Sequence, residues 1–303
     1  MKMANVRRYL NPQIVSKLSR MDIVARLVVE GFITGLHKSP YHGFSVEFTE
    51  DRQYMPGDPV RHIDWKAYGK SERLYVKQFA AETNLKAYIL LDASGSMGFS
   101  SEQVSKFRYG CCLAAALSYL MIRQKDAVGL AIFDEQIRSY IPPRSVESHL
   151  STILKELDAT RTSSGTQVNR VFHQLAERIK RRGLVIVISD LLDDPEQILL
   201  GLRHFRHRKH EVIVFHVLDP KEKDFDFQTE ATFVDIETGQ EVVTQPWHIR
   251  NQYHILMSEL IEKYRRSCRE SLIDYVLLDS SQDFDVALFS YLAKRKKAGL
   301  MIP

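Results

Sequence analysis

Residues 85–96 read LKAYILLDASGS, and the fold of the chain turns on them. Ala87 to Leu91 is an unbroken apolar run, too short for a helix and suited to a buried strand. It stops on Asp92, and Ser94, Gly95 and Ser96 then open a polar loop. The same grammar repeats downstream. AVGLAIFD (127–134), GLVIVISD (183–190), EVIVFHVLD (211–219) and DYVLLDS (274–280) are further strand candidates, and RSYIPP (138–143) is another. Helical periodicity fills the gaps. It covers 103–124 with apolar and polar faces, SVESHLSTILKELD (145–158) with Ser145 as cap, about 167–182, 195–208, 249–270 and FDVALFSYLAKRKK (284–297). Strands alternating with helices of this length predict an α/β fold, a doubly wound and mostly parallel sheet with helices on both faces.

The flanks of this pattern differ. Residues 1–80 are expected to form an extension of one helix and short strands that docks on a core spanning 81–303. Residues 1–40 hold seven Lys/Arg and two acids, with Ile23, Val24, Leu27, Val28 and Phe32 at helical spacing and Asp22 able to cap the start. Such a basic amphipathic helix either packs its apolar face on the same protein, the simpler reading, or lies on a membrane surface. YHGFSVEF (41–48) looks extended, LYVKQFAAE (74–82) is either another extended segment or the lead into the next domain, and YMPGDPVRHIDW (54–65) contains a strong turn signal. Arg52, Arg61, Asp64 and Trp65 are candidates for an anchor to the core or for a groove. Residues 220–248 interrupt the alternation as an acidic insertion, in which TFVDI-ETGQ-EVVT has the pattern of a β-hairpin.

Composition narrows the class. The chain has 303 residues and a formal net charge of +4, with 44% hydrophobic and 26% charged residues. These values describe a folded protein with a full core and exclude low-complexity or disordered chains. The three cysteines, Cys111, Cys112 and Cys268, have neither a disulfide framework nor zinc spacing, which predicts a reducing, cytoplasmic setting. The longest charge-free apolar run, Tyr109 to Ile122, falls short of the roughly 20 residues of a membrane span. The opening MKMANVRRYLNPQ lacks a secretory apolar core. Two basic clusters stand out: His204, His207 and His210 could bind a metal or an acidic partner but read first as a solvated basic helix end, and Lys294–Lys297 reads as a helix-end or tail charge run. Neither is interleaved with stacking aromatics, so no nucleic acid is expected as a partner.

Ligands of such sheets sit at the carboxyl ends of the strands. Three loops fall there: Asp92-Ala93-Ser94-Gly95-Ser96, Ser163-Ser164-Gly165-Thr166 before a helix, and Ser189-Asp190. Together they offer carboxylates and hydroxyls, with no His, Cys or Lys among them. Hard oxygen donors of this kind suit Mg²⁺ or Mn²⁺ and not zinc or copper. The first loop alone is equally ordinary turn chemistry; the three together, in this order, point to a metal.

This pattern resembles the metal-ion-dependent adhesion site of the von Willebrand factor type A superfamily. The resemblance implies that Ser94 and Ser96 ligate the ion through their hydroxyls. It implies that Thr166 joins them in the ligand-ready state, while Asp92 and Asp190 hold the ion largely through water. Upstream, Arg52-Gln53-Tyr54-Met55-Pro56-Gly57-Asp58, then Arg61-His62-Ile63-Asp64-Trp65, then Glu82, is similar to the bacterial domain-of-unknown-function family 58. Members of that family carry a type A-like domain and are commonly encoded beside MoxR-type AAA+ ATPases. Many begin with two transmembrane helices; none is expected in this sequence, which puts membrane anchoring in doubt.

The expected function is a non-enzymatic, Mg²⁺-dependent protein-interaction module. Hydroxyl ligands leave positive charge on the ion, and an open position then attracts an Asp or Glu of a protein partner. The resemblance implies a role as adaptor or co-chaperone with a MoxR-type ATPase in assembling or maturing another complex. The competing reading is a metal-dependent phosphatase or other hydrolase using Asp92 as nucleophile. Against it, Ser94 stands where dehalogenase-type phosphatases carry a second Asp, and no phosphate-binding Gly-x-x-x-x-Gly-Lys-Ser/Thr loop exists.

Overall fold

The structure, a computed structural model, describes residues 11–18, 20–36, 51–54, 68–69, 74–77, 85–163, 168–229, 231–234 and 241–299. Its centre is a six-stranded sheet. The strands are β3 (Lys86–Asp92), β4 (Ala127–Phe133), β5 (Ile137–Arg144), β6 (Leu184–Ser189), β7 (Glu211–Leu218) and β10 (Asp274–Asp279), in the spatial order β10-β7-β6-β3-β4-β5. All neighbours are parallel except β5, which pairs antiparallel with β4 through a register shift and closes that edge with Pro142 and Pro143. Two small antiparallel pairs complete the strands: β1 (Asp51–Gln53) with β2 (Tyr75–Lys77), and β8 (Ala231–Val234) with β9 (Glu241–Thr244). The second pair is the hairpin expected in the insertion; its connecting residues 235–240 lie outside the described ones, as do 41–48 and most of 54–65.

Side chains alternate across the sheet as a period of two requires. Ala87, Ile89 and Leu91 of β3 and Ile186 and Ile188 of β6 join one apolar layer. Tyr88 and Leu90, with Val185 and Val187, join the other. The first layer is covered by α2 (Met21–Leu36), α3 (Lys106–Arg123), α4 (Glu147–Ala159) and α9 (Asp285–Gly299), α2 following the short α1 (Pro12–Val15). The second is covered by α5 (Val168–Arg178), α6 (Pro195–His207) and α8 (Pro246–Glu270), with α7 (Pro220–Asp224) opening the insertion.

Helix α3 departs from the expected two-faced pattern. It is buried on nearly every side, because the sheet lies under it and α2 and α4 lie over it. The apolar face of α2 meets it with Val24, Ala25, Val28 and Val29, all fully buried, while Phe32 packs edge-on against Phe289 of α9 at 4.9 Å. So α2 packs on this protein. Asp22 sits inside its first turn, where it pairs with Arg20 at 2.6 Å rather than capping the start.

Other expectations shift by local chemistry. Ser145 is not the cap of α4; the helix begins at Glu147 behind Val146, which makes no side-chain cap bond. Helix α5 stops at Arg178, four residues short of the expected end, and Gly183 then leads into β6. Helix α8 begins at Pro246, where a proline needs no N–H partner. His210 is buried instead of solvated, with its Nδ1 accepting the Gly183 N–H at 3.3 Å. His204 is half-buried and meets His173 of α5, the two Nδ1 atoms 2.8 Å apart.

Candidate metal centre

The carboxyl edge of the sheet carries a row of aspartates. Asp92 ends β3, Asp134 follows β4, Asp190 follows β6, Asp219 follows β7 and Asp279 ends β10. Each accepts the backbone N–H two residues on, from Ser94, Gln136, Leu192, Lys221 and Ser281 respectively. An aspartate at a strand end is therefore first of all the device that turns the chain here. What distinguishes one stretch of this edge is the company that two of these carboxylates keep.

Asp92 and Asp190 come from adjacent strands and are 1% and 2% exposed. The Ser94 N–H donates to Asp92 Oδ1 at 2.9 Å, and the Ser189 hydroxyl donates to Asp92 Oδ2 at 2.6 Å. Ser189 Oγ in turn accepts the Leu191 N–H at 3.0 Å. Burial, and then the negative charge of Asp190, push the Asp92 carboxyl up to about 7. Ser94 Oγ and Ser96 Oγ lie 3.1 Å apart, Ser94 being fully buried. Oxygens on adjacent corners of an octahedron around a magnesium-sized ion are also about 3 Å apart. Among the described residues no three His, Cys, Asp or Glu side chains converge to hold an ion, so the hydroxyls are essential to any coordination here. The residues present fit a small, hard, divalent cation.

The structure thus brings together Asp92, Ser94, Ser96 and Asp190. Thr166 lies outside the described residues. Ser163, three positions ahead of it, is tied to the same place: its N–H donates to the Ala93 carbonyl at 3.0 Å and its hydroxyl to Asp134 Oδ2 at 2.6 Å.

Two features of the site are not visible in its loops. The first is Lys106, at the start of α3. Its side chain is wholly buried, and its ammonium donates to Asp190 Oδ2 at 2.8 Å and to Glu222 Oε1 at 2.5 Å. Burial alone would lower this lysine, but Asp190 and Glu222 outweigh it and hold it above its ordinary value. Burial raises Glu222. The loops contain no lysine, but the site does. A signal existed: Lys106 stands one turn before Gly110, whose Cβ position faces Leu91 and Ile188 of the sheet, so the lysine shares the inward stripe of an otherwise apolar helix. The second is Leu191, buried with φ of 51°, a left-handed backbone that costs a leucine of order 1 kcal/mol. Tyr264 of α8 holds it by donating its hydroxyl to the Leu191 carbonyl at 2.9 Å.

Glu222 belongs to α7, which a capping box starts: the Asp219 side chain accepts the Glu222 N–H, and Asp219 N–H donates to Glu222 Oε2 at 3.0 Å, while Lys221 N–H also donates to Asp219 Oδ1 at 2.9 Å. Tyr253 of α8 donates its hydroxyl to the Glu222 carbonyl at 2.6 Å and stacks on Phe225 at 4.2 Å. Phe225 also stacks on Phe233 of β8. The insertion is thereby pinned to the edge that carries the site.

Comparison with known proteins bears on the family resemblance drawn from the upstream motifs. The chain is 27% identical over 233 residues to the uncharacterized protein Rv1480 of Mycobacterium tuberculosis, covering 76% of this chain and 73% of that one. It is 21% identical over 145 residues to the uncharacterized protein YeaD of Bacillus subtilis, 47% of this chain and 34% of the relative. Among solved structures, the conserved hypothetical protein BatB from Bacteroides thetaiotaomicron aligns with a TM-score of 0.49 at 19% identity, covering 69% of this chain and 99% of BatB. The SpRpn10 VWA domain aligns with a TM-score of 0.39 at 11% identity, covering 68% of this chain and 94% of that domain. No helix among the described residues is long and apolar enough to cross a membrane. The family profile described as "Protein of unknown function DUF58" matches residues 50–260, from ahead of the expected 81–303 core into α8. That match spans most of the sequence, and the chain belongs to the DUF58 family.

Proposed function

We propose that this protein is a divalent-cation-dependent protein-interaction module, in which Ser94, Ser96 and Thr166 hold Mg²⁺ or Mn²⁺ and Asp92 and Asp190 orient its water. The observation that carries this reading is the Ser94–Ser96 hydroxyl pair, 3.1 Å apart over a buried Asp92. When ionised, Asp92, Asp190 and Glu222 outnumber the single ammonium of Lys106 by the charge of one divalent ion. Bound there, the ion supplies an electrophilic position for a carboxylate of the partner. Asp92 fits this role better than that of a nucleophile, because both its oxygens already accept hydrogen bonds from Ser94 and Ser189. The sequence resemblance suggests a MoxR-type AAA+ ATPase as the partner and complex assembly as the setting.

The test is Mn²⁺ titration of the purified protein by calorimetry, alongside capture of a MoxR-type AAA+ ATPase in Mg²⁺ and in EDTA. One Mn²⁺ site, and capture that EDTA and Ser94→Ala/Ser96→Ala both abolish, are the expected results. Capture that persists in EDTA rejects the proposal. Phosphoester turnover lost in Asp92→Asn establishes the hydrolase instead.

A further inference from the structure

We propose that Lys106 and Glu222 form a built-in counter-charge that sets the cation affinity of this site, with Lys106 opposing the ion and Glu222 drawing the lysine away from it. The proposal rests on the reading that Ser94 and Ser96 hold a divalent cation. Its basis is the position of one ammonium between two carboxylates. Lys106 Nζ is 2.8 Å from Asp190 Oδ2 and 2.5 Å from Glu222 Oε1, with its side chain wholly buried and the Phe99 ring centroid 6.0 Å away. Asp190 therefore serves two cations, the lysine in one direction and the ion in the other. Like charges sharing one buried carboxylate repel each other strongly, because little water screens them. Glu222 offsets that repulsion. It gives the ammonium a second partner, so that Lys106 remains compensated when Asp190 is polarised toward the ion.

Glu222 comes from the insertion, not from the sheet. The capping box of α7, the Tyr253 bond to the Glu222 carbonyl and the stacking of Phe225 on Tyr253 and Phe233 fix where its carboxylate stands. The acidic insertion, which no part of the coordination requires, thus acquires a role in tuning it. A segment remote in sequence decides how much divalent ion the hydroxyl pair needs before it is occupied.

The two residues act in opposite senses, and that makes the test specific. Mn²⁺ affinity is measured on the full chain by titration with electron paramagnetic resonance of free Mn²⁺, with circular dichroism reporting the fold. Lys106→Met removes the repulsion and is expected to tighten Mn²⁺ binding about tenfold. Glu222→Gln keeps the capping box, throws the ammonium wholly onto Asp190 and is expected to weaken binding about tenfold. Lys106→Met risks the fold by stranding two carboxylates, whereas Glu222→Gln does not, so the second variant carries the test alone if the first is unfolded. Glu222→Gln binding Mn²⁺ as tightly as wild type overturns the proposal, as does any pair of shifts in the same direction. A wild type and a folded Lys106→Met that both fail to bind Mn²⁺ reject the cation site itself, and this proposal with it.

Discussion

A methyl group added to Gly183 would lie 2.1 Å from the Lys86 carbonyl oxygen, a backbone atom that cannot swing aside. Gly183 lets the entry to β6 pass against the start of β3, and that approach sets the register bringing Ser189 beside Asp92. Gly183→Ala is expected to cost about 2–3 kcal/mol, read as a lower urea midpoint with unchanged slope. Asp92 presents the opposite case, a residue whose ionised form weakens the fold. Its carboxyl, buried beside Asp190, is held well above its ordinary range. Asp92→Asn keeps the shape and removes the charge; in EDTA at pH 8 it should stabilise the protein by about 2–4 kcal/mol. Saturating Mg²⁺ is expected to raise the melting temperature of wild type and to leave that of the same variant unchanged. Equal stability of the two proteins in EDTA contradicts this view of Asp92. The residues that sequence reading identified here, Asp92, Ser94, Ser96 and Asp190, are those whose neighbours are close along the chain or lie at the ends of strongly apolar strands. Lys106 and Glu222 escaped because they are 84 and 116 positions from their partners, and nothing local marks that pairing.

Elements show the same division. Strands β3, β6 and β7 were legible because a continuous apolar run has few alternatives, and α6 because its helical periodicity opens at Pro195. The faces of α3 were not legible, since its burial is decided by what α2 places over it. The contact between these helices is apolar and closely packed, and Phe32, 1% exposed, closes it against Phe289. Phe32→Ala is expected to cost about 3–5 kcal/mol in the chemical denaturation of the whole chain. A loss below about 1 kcal/mol would mean that α2 is a loosely held appendage. The α5–α6 contact depends likewise on Gly201, over which the Phe172 ring lies, and on the His173–His204 pair.

At the scale of the molecule, buried histidines set how stability responds to acid. His210 and His216 are both buried, and burial lowers both below the ordinary imidazole value, His216 to about 4 with Asp190 and Lys106 acting on it in opposite senses. A folded-state value below the unfolded one means that the unfolded chain takes up protons first. Their contribution is therefore complete above about pH 6.5 and is lost as the pH falls toward about 4. Asp92 runs the other way: its raised value makes the fold lose stability as the pH climbs from about 4 to about 7. The two trends overlap, so the histidine trend is best read in Asp92→Asn. There, urea midpoints should fall steadily from pH 7 to pH 4.5, and His216→Phe should flatten the slope. A flat profile in Asp92→Asn itself argues against neutral buried histidines.

The all-round burial of α3 also bears on where the chain can be cut. A shortened protein beginning at residue 85 would retain every strand of the main sheet and the described residues of the candidate site. It would nevertheless uncover the flank of α3 that α2 normally shields, an apolar band with no charged residue between Arg108 and Arg123. Such a fragment should bind hydrophobic dyes and self-associate, while a version retaining residues 11–36 should not. The helix ahead of the sheet is in this sense a cover for that apolar band.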